Sequence, residues 1–365
     1  MLYSTSFGIY MIQDSCSHGG VYTANPSQVK IDFSSNINPF GISKVVLNVL
    51  RKNLSKLSSI YPDNEHAALK KKLLDYLGSN LSQDSINVGN GATELIYNFV
   101  RAFVRNQVVI PSPTFCEYEL ASKKIGAKIE HIPLKNWNLD IDRISEKCDK
   151  SDAIFLCNPN NPTGIFSYHL IEKLIEKIDE SVKILIDESF IELVDTIKPA
   201  KSFIDKINEF QNIVVLRSMT KSFGLAGLRL GYCVSHPSIA RKISNYRITW
   251  SVNGLAQLAG VTALEDLSHL RRAQKMIRSE RKFMHDVLNN KLKSFTAYDS
   301  DVNYYLIRLR NCNSTLLRDT LLERNGILVR DCSDFKGMND KYIRVAVKTH
   351  NENLQLLNSL EVIDI

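Results

Sequence analysis

Six short strand-like runs, five of them mostly apolar, cross the middle of this 365-residue chain, at 107–110, 128–132, 153–157, 183–186, 213–216 and 230–234. Amphipathic helical stretches separate them. The clearest is 168–178, with Leu170, Ile171, Leu174, Ile175 and Ile178 on one face. A strand that is apolar at nearly every position has no solvent side, so it is buried on both faces. Such strands alternating with helices predict a mainly parallel sheet covered by helices on both sides, an α/β domain. The pattern shifts near residue 254. A long helical stretch runs to about 292, followed by a strand at 303–309, a helix at 314–324 and a strand at 342–347. This second part reads as a smaller α+β domain packed against the first.

Charge and cysteine usage narrow the class. The net charge of +7 is scattered, and no basic run is interleaved with aromatics, so no nucleic-acid partner is expected. No stretch approaches the roughly 18 apolar residues of a membrane span, and no basic segment followed by an apolar core marks a signal peptide. Seven cysteines, at 16, 116, 148, 157, 233, 312 and 332, form no C-x-x-C pair and no metal spacing. They read as reduced thiols of a cytoplasmic protein, with no metal site.

The chemistry concentrates where the apolar runs end, which is where open α/β sheets bind their ligands. The run 213–216 leads into Ser218-Met219-Thr220-Lys221, then Gly224, Ala226, Gly227 and Arg229. A lysine flanked by hydroxyls and small residues suits an amine that attacks a carbonyl beside a bound phosphate. The run 183–186 leads into Asp187, a carboxylate that is costly in a buried setting unless paired. The run 153–157 leads into Asn158-Pro159-Asn160-Asn161-Pro162-Thr163-Gly164, whose prolines fix the turn that presents Asn161. Gly89-Asn90-Gly91-Ala92-Thr93 precedes a helical stretch at 95–104 and makes a phosphate cradle. One cofactor satisfies all four. Lys221 would hold a carbonyl as a Schiff base, Asp187 would pair with a protonated ring nitrogen, and Asn161 would donate to a phenolate oxygen. Gly91, Ala92, Thr93, Ser218, Thr220 and Arg229 would take a phosphate, and Phe115 could stack on the ring. That cofactor is pyridoxal 5'-phosphate.

The order of these motifs resembles the fold-type I aminotransferase superfamily of pyridoxal phosphate enzymes over nearly the whole chain. The resemblance rests on Asn161-Pro162-Thr163-Gly164, Asp187 and Ser218-x-Thr220-Lys221 through Arg229. It implies a large domain at 46–254 with a mostly parallel seven-stranded sheet. It also implies a small domain at 255–365, with residues 1–45 as an arm that joins the small domain. The nearest branches are histidinol-phosphate aminotransferase and threonine-phosphate decarboxylase, the latter serving cobalamin biosynthesis. His18-Gly19-Gly20, Asp32-Phe33-Ser34-Ser35-Asn36-Ile37-Asn38-Pro39, Trp250-Ser251-Val252-Asn253, Ile327-Leu328-Val329-Arg330-Asp331-Cys332 and 342–346 resemble the decarboxylase branch. Phe190 stands where many aminotransferases carry a tyrosine that bonds the cofactor's phenolic oxygen. Val21 after Gly20, and the stretch 222–226, lean toward the other branch.

The resemblance implies decarboxylation of O-phospho-L-threonine, with a transaminase of the histidinol-phosphate type as the alternative. A non-catalytic cofactor-binding protein is a third possibility, of another class. His18, Asn36, Arg330 and Arg344 are the expected donors to the substrate's phosphate and carboxylate. Tyr61 matches a family tyrosine that reaches the neighbouring subunit's cofactor phosphate, which implies a homodimer with shared sites.

Overall fold

The computed structural model describes residues 17–78, 81–194 and 200–363. One sheet of seven strands forms its centre: β1 (Ile86–Asn90), β2 (Gln107–Ser112), β3 (Lys128–Pro133), β4 (Ala153–Cys157), β5 (Lys183–Asp187), β6 (Ile213–Ser218) and β7 (Leu230–Ser235). Their spatial order is β1-β7-β6-β5-β4-β2-β3. β7 alone of these seven runs against the others, so the sheet is mostly parallel, as expected.

The sequence pattern marks six of the seven strands. β1 escapes it because Ile86-Asn87-Val88-Gly89-Asn90 mixes apolar and polar residues. Its polar positions are specific: Asn87 is buried and donates to the Ala240 carbonyl at 2.9 Å. A Cβ at Gly89 would lie 2.7 Å from the Leu95 side chain, so strand and helix can approach this closely only without one. β5 and β6 each run past their apolar core, because pairing continues through Asp187 opposite Leu216 and Ser218 opposite Gly231. This extension carries both polar side chains to one edge.

The long helical stretch after residue 254 is two helices, Gly254–Glu265 and Leu267–Asn290. Asp266 divides them. Its side chain accepts from Ser43 and Ser268, and a residue that bonds locally in this way competes with helix continuation. Beyond it an antiparallel sheet forms in the order Arg330–Asp331, Tyr342–Ala346, Tyr304–Leu309, Phe295–Ala297. Ile31–Asp32 pairs in parallel with Ile327–Leu328 as a separate two-stranded sheet, and the Ala346 N–H donates to the Phe33 carbonyl at 2.9 Å, which ties the N-terminal segment to the antiparallel sheet.

The core follows the same division. Leu156, Ile184, Ile186, Val215 and Leu230 pack with Ala256, Ala259 and Ala273 on one face of the large sheet. Leu95, Phe99, Val108, Phe155 and Leu216 pack on the other. Phe33, Met284, Leu288, Tyr305, Ile307 and Ile343 form a separate core under the antiparallel sheet. Among the described residues no helix is long and apolar enough to cross a membrane, and no His/Cys/Asp/Glu group could hold a metal. Cys148, Cys157, Cys233, Cys312 and Cys332 are free thiols.

Candidate active site

The strand ends of the large sheet, the N-terminal segment and the antiparallel sheet enclose a cavity of about 270 Å³. His18, Asn36, Ala92, Thr93, Phe115 and Asn161 line it, together with Asp187, Ser218, Thr220, Lys221, Arg229, Arg330 and Arg344. Thirteen of the fifteen side chains singled out from the sequence therefore converge. Gly91 stands just behind the wall, and Tyr61 stands apart.

Lys221 sits in the short helix Met219–Ser222 directly after β6. Burial, with Arg344 and Arg229 nearby, brings its ammonium down to about 8. The amine is therefore largely neutral at mildly basic pH, the form that attacks a carbonyl. Its Nζ lies 5.9 Å from the Phe190 ring centroid.

Asp187 ends β5 and is buried. It accepts from the Tyr118 hydroxyl at 2.7 Å and from the Ser189 N–H at 2.9 Å. Burial still raises its carboxyl above the ordinary value, with those donors and Lys221 only partly opposing it. A buried acid held between two donors lacks a strong cationic partner, and a protonated ring nitrogen would supply one. Burial likewise keeps the Tyr118 phenol protonated, so it acts as the donor.

The phosphate cradle is built at the start of the helix Gly91–Phe103. No side chain caps this helix, so its first N–H groups remain directed at the cavity end. Gly91 has φ +77°, and a Cβ there would sit 2.6 Å from Arg229 Nη2. Glycine is what lets the guanidinium close over the turn. Arg229 itself adopts φ 60°, a strained conformation for a side-chain-bearing residue, and donates Nη1 to the Ala226 carbonyl at 3.1 Å. The Ser218 hydroxyl lies alongside, bonded from the Thr220 N–H at 3.3 Å.

At the far end Arg344 is buried with no carboxylate partner among the described residues. Nη1 donates to Asn161 Oδ1 and Nη2 to the Ser34 carbonyl at 2.7 Å, while Nε has no hydrogen bond. This contact commits the Asn161 oxygen to the arginine and leaves its amide nitrogen as the donor. Asn36 Oδ1 is also buried and unbonded. Orphaned polar atoms of this kind are expensive in an empty site and are satisfied by a polar ligand. Arg330 is anchored differently. It pairs with both oxygens of Asp334 at 2.8 and 2.9 Å and donates to the Ser17 carbonyl at 2.7 Å. His18 faces the same end, its Nε2 2.8 Å from Glu117 Oε1. Phe115 lies between, tilted against His18 at 5.8 Å and edge-on to Tyr118 at 5.6 Å.

Tyr61 is 77% exposed and stacks on Trp250 at 4.4 Å, at the surface rather than in the cavity. Three features escape sequence reasoning: Tyr118 on Asp187, Glu117 on His18, and a buried network behind the strand ends. In that network Arg217 pairs with Glu188 at 2.9 Å and Glu192 at 2.8 Å. The signal for Tyr118 is faint: it lies in the first turn of the helix Glu117–Lys123, three residues after Phe115.

The family model for aminotransferase class I and II matches residues 28–360. A histidinol-phosphate aminotransferase of Methanocaldococcus jannaschii is 33% identical, covering 94% of this chain and 91% of that one. A threonine-phosphate decarboxylase of Salmonella typhimurium is 32% identical, covering 94% and 95%. Among solved structures, the histidinol-phosphate aminotransferase of Clostridium acetobutylicum superposes with a TM-score of 0.84. It is 32% identical and covers 92% of this chain and 99% of its own. The chain belongs to the aminotransferase class I and II family.

Proposed function

Proceeding from that membership, we propose that the chain decarboxylates O-phospho-L-threonine to 1-amino-2-propanol phosphate. The cofactor is pyridoxal 5'-phosphate, whose ring, when bound, serves as the sink for the electron pair left at the substrate Cα. The observation that carries the substrate reading is the pairing of two arginines, Arg330 and Arg344, on adjacent strands at one end of the cavity, with His18 and Asn36 beside them. Arg344 is a buried cation with no carboxylate partner among the described residues, suited to bidentate contact with the substrate's own. His18 and Arg330, the latter braced by Asp334, line the cavity with Asn36 and would face a phosphate. A substrate with one carboxylate and one phosphate satisfies both.

The remaining residues then take definite tasks. Asp187, fixed by Tyr118, would hold the proton on the ring nitrogen. Asn161 would donate to the phenolic oxygen, and Ala92, Thr93, Ser218, Thr220 and Arg229 would hold the cofactor phosphate. Phe190 offers that ring no hydroxyl, which supports a chemistry unlike that of the tyrosine-bearing aminotransferases. Lys221, with its ammonium near 8, can carry a proton to Cα in both directions at neutral pH. Arg344 orients the carboxylate, and orientation decides which Cα bond breaks.

Assembly as a homodimer fits the same reading. Exposed Tyr61 and Trp250, with exposed Ile60 and Ile248 beside them in sequence, make an apolar surface suited to a second copy. Tyr61 would then reach the partner's cofactor phosphate.

A second reading, transamination of histidinol phosphate, is supported by relatives of that name at equal identity. One experiment separates the two. The purified holoenzyme is incubated with O-phospho-L-threonine alone, and with histidinol phosphate plus 2-oxoglutarate. Carbon dioxide and 1-amino-2-propanol phosphate in the first tube are expected. Glutamate formation in the second tube, with no carbon dioxide in the first, rejects the decarboxylase.

A further inference from the structure

Residues 17–20 form a strap across the outer end of the cavity, and the two halves of the molecule hold it from opposite sides. Arg330, on the antiparallel sheet, donates to the Ser17 carbonyl at 2.7 Å. The Gly20 N–H donates to Ser34 Oγ at 2.8 Å, and Ser34 is itself fixed by Asp32 at 2.5 Å. A Cβ at Gly19 would fall 2.2 Å from the Ser34 carbonyl oxygen, so the strap lies flat against this segment. From the large-sheet side comes Glu117, at the start of the helix Glu117–Lys123.

Glu117 has no part in the chemistry above, yet it is a buried carboxylate with both oxygens committed. Oε1 is bonded by His18 Nε2 at 2.8 Å, and Oε2 accepts from the Tyr97 hydroxyl at 3.1 Å. Those bonds, led by the one from His18, hold its carboxyl below the usual range against the effect of burial. It is therefore an anion at neutral pH. The anionic acceptor takes the Nε2–H, which fixes the plane of the imidazole; a phosphate on the other side of the ring is met by an N–H at Nδ1, so the ring that binds it carries a proton on each nitrogen. The rest of the ring is then presented to the cavity beside Arg330 and Phe115.

We propose that Glu117 is a positioning residue for substrate specificity: by fixing His18 it sets the preference for phosphorylated over hydroxyl-bearing amino substrates. The inference rests on the phosphate-binding role assigned to His18 under the proposed function. Glu117 need not touch the ligand. The pair works as an oriented donor whose loss is felt at one end of the substrate, the phosphate.

O-phosphoethanolamine and ethanolamine test this, because they differ only in the phosphate and have no carboxylate to lose. Their dissociation constants for the holoenzyme are read from the change in cofactor absorbance. This is done in the wild type, Glu117→Gln, His18→Asn and the double variant. The wild-type preference for the phosphorylated amine is expected to fall roughly tenfold in Glu117→Gln, the scale of one oriented charge-assisted hydrogen bond. His18→Asn loses at least as much, and adding Glu117→Gln to it costs nothing further. For O-phospho-L-threonine, KM rises more than kcat falls. An unchanged preference in Glu117→Gln overturns the inference, as does a double variant whose loss is the product of the two single losses. A wild type without any preference rejects the phosphate-substrate reading itself, and the inference falls with it.

Discussion

Replacing Arg217 with methionine tests how the strand ends that carry Asp187 and Ser218 are held. Arg217 is buried, and its guanidinium is fully engaged: Nε with Glu188 at 2.9 Å, Nη1 with Glu192 at 2.8 Å and Nη2 with Ser202 Oγ at 2.8 Å. The two carboxylates have other donors. Glu188 accepts from the Phe203 N–H at 2.8 Å and Ser202 Oγ at 2.7 Å, and Glu192 from Ser222 Oγ at 3.0 Å. Methionine matches the stem but leaves both carboxylates buried without a cation. Removing one partner from a buried ion pair costs about 3–5 kcal/mol, whereas neutralising every partner costs far less. With an unfolding entropy of about 2.1 cal/mol/K per residue over 365 residues, this lowers Tm by ~4–7 °C.

Thermal unfolding of the holoenzyme, followed by circular dichroism, measures it. The triple variant Arg217→Met, Glu188→Gln, Glu192→Gln should recover most of the loss. Burial already raises the Glu188 carboxyl above its usual 4.5, and Arg217 is the main charge opposing it. Without the arginine its folded value rises further, so stability is retained below about 4.5 and lost as pH climbs above it. The deficit of Arg217→Met should therefore widen from acid to neutral pH. A loss below ~1 kcal/mol, or a triple variant no more stable than the single one, refutes the reasoning.

Three further outcomes are expected. Tyr118→Phe removes one of the two donors to Asp187, so cofactor retention on dialysis should weaken about tenfold, the value of one buried hydrogen bond to a charge; unchanged retention denies Tyr118 that role. Gly91→Ala forces a Cβ to 2.6 Å from Arg229 Nη2 at φ +77°. It should cost about 1–3 kcal/mol and raise the dissociation constant for pyridoxal phosphate, read by fluorescence titration of apoprotein. In the apoprotein, the rate at which Lys221 captures pyridoxal phosphate should climb with pH through about 8 and level off above it; a midpoint at the ordinary lysine value of 10.5 rules out the buried setting.

Much of this protein is legible in its chain. Apolar runs at β2 and at β4 to β7 declare a buried, mostly parallel sheet, because a strand covered on both faces has no polar positions to spare, whereas the edge strand β3 is half-exposed. Lys221, Asp187 and Asn161 are each visible as a polar residue placed directly after such a run. Cofactor chemistry follows from them, since few ligands need an amine, a carboxylate and an amide at three neighbouring strand ends. β1 is not visible, because its polar residues are explained only by the partners they meet, Ala240 and Leu95. The same holds for the supports of the site. Tyr118 reaches Asp187 across 69 residues, His18 reaches Glu117 across 99, and Arg344 reaches Asn161 across 183. No local period or propensity encodes such pairs. They arise when the sheet order brings distant strand ends together, and when the strap and the antiparallel sheet close over them. Residue type near the strand ends determined which cofactor this chain can hold. Only the tertiary structure decided how each of those residues is oriented, charged and braced, because orientation and burial are properties of neighbours rather than of the chain.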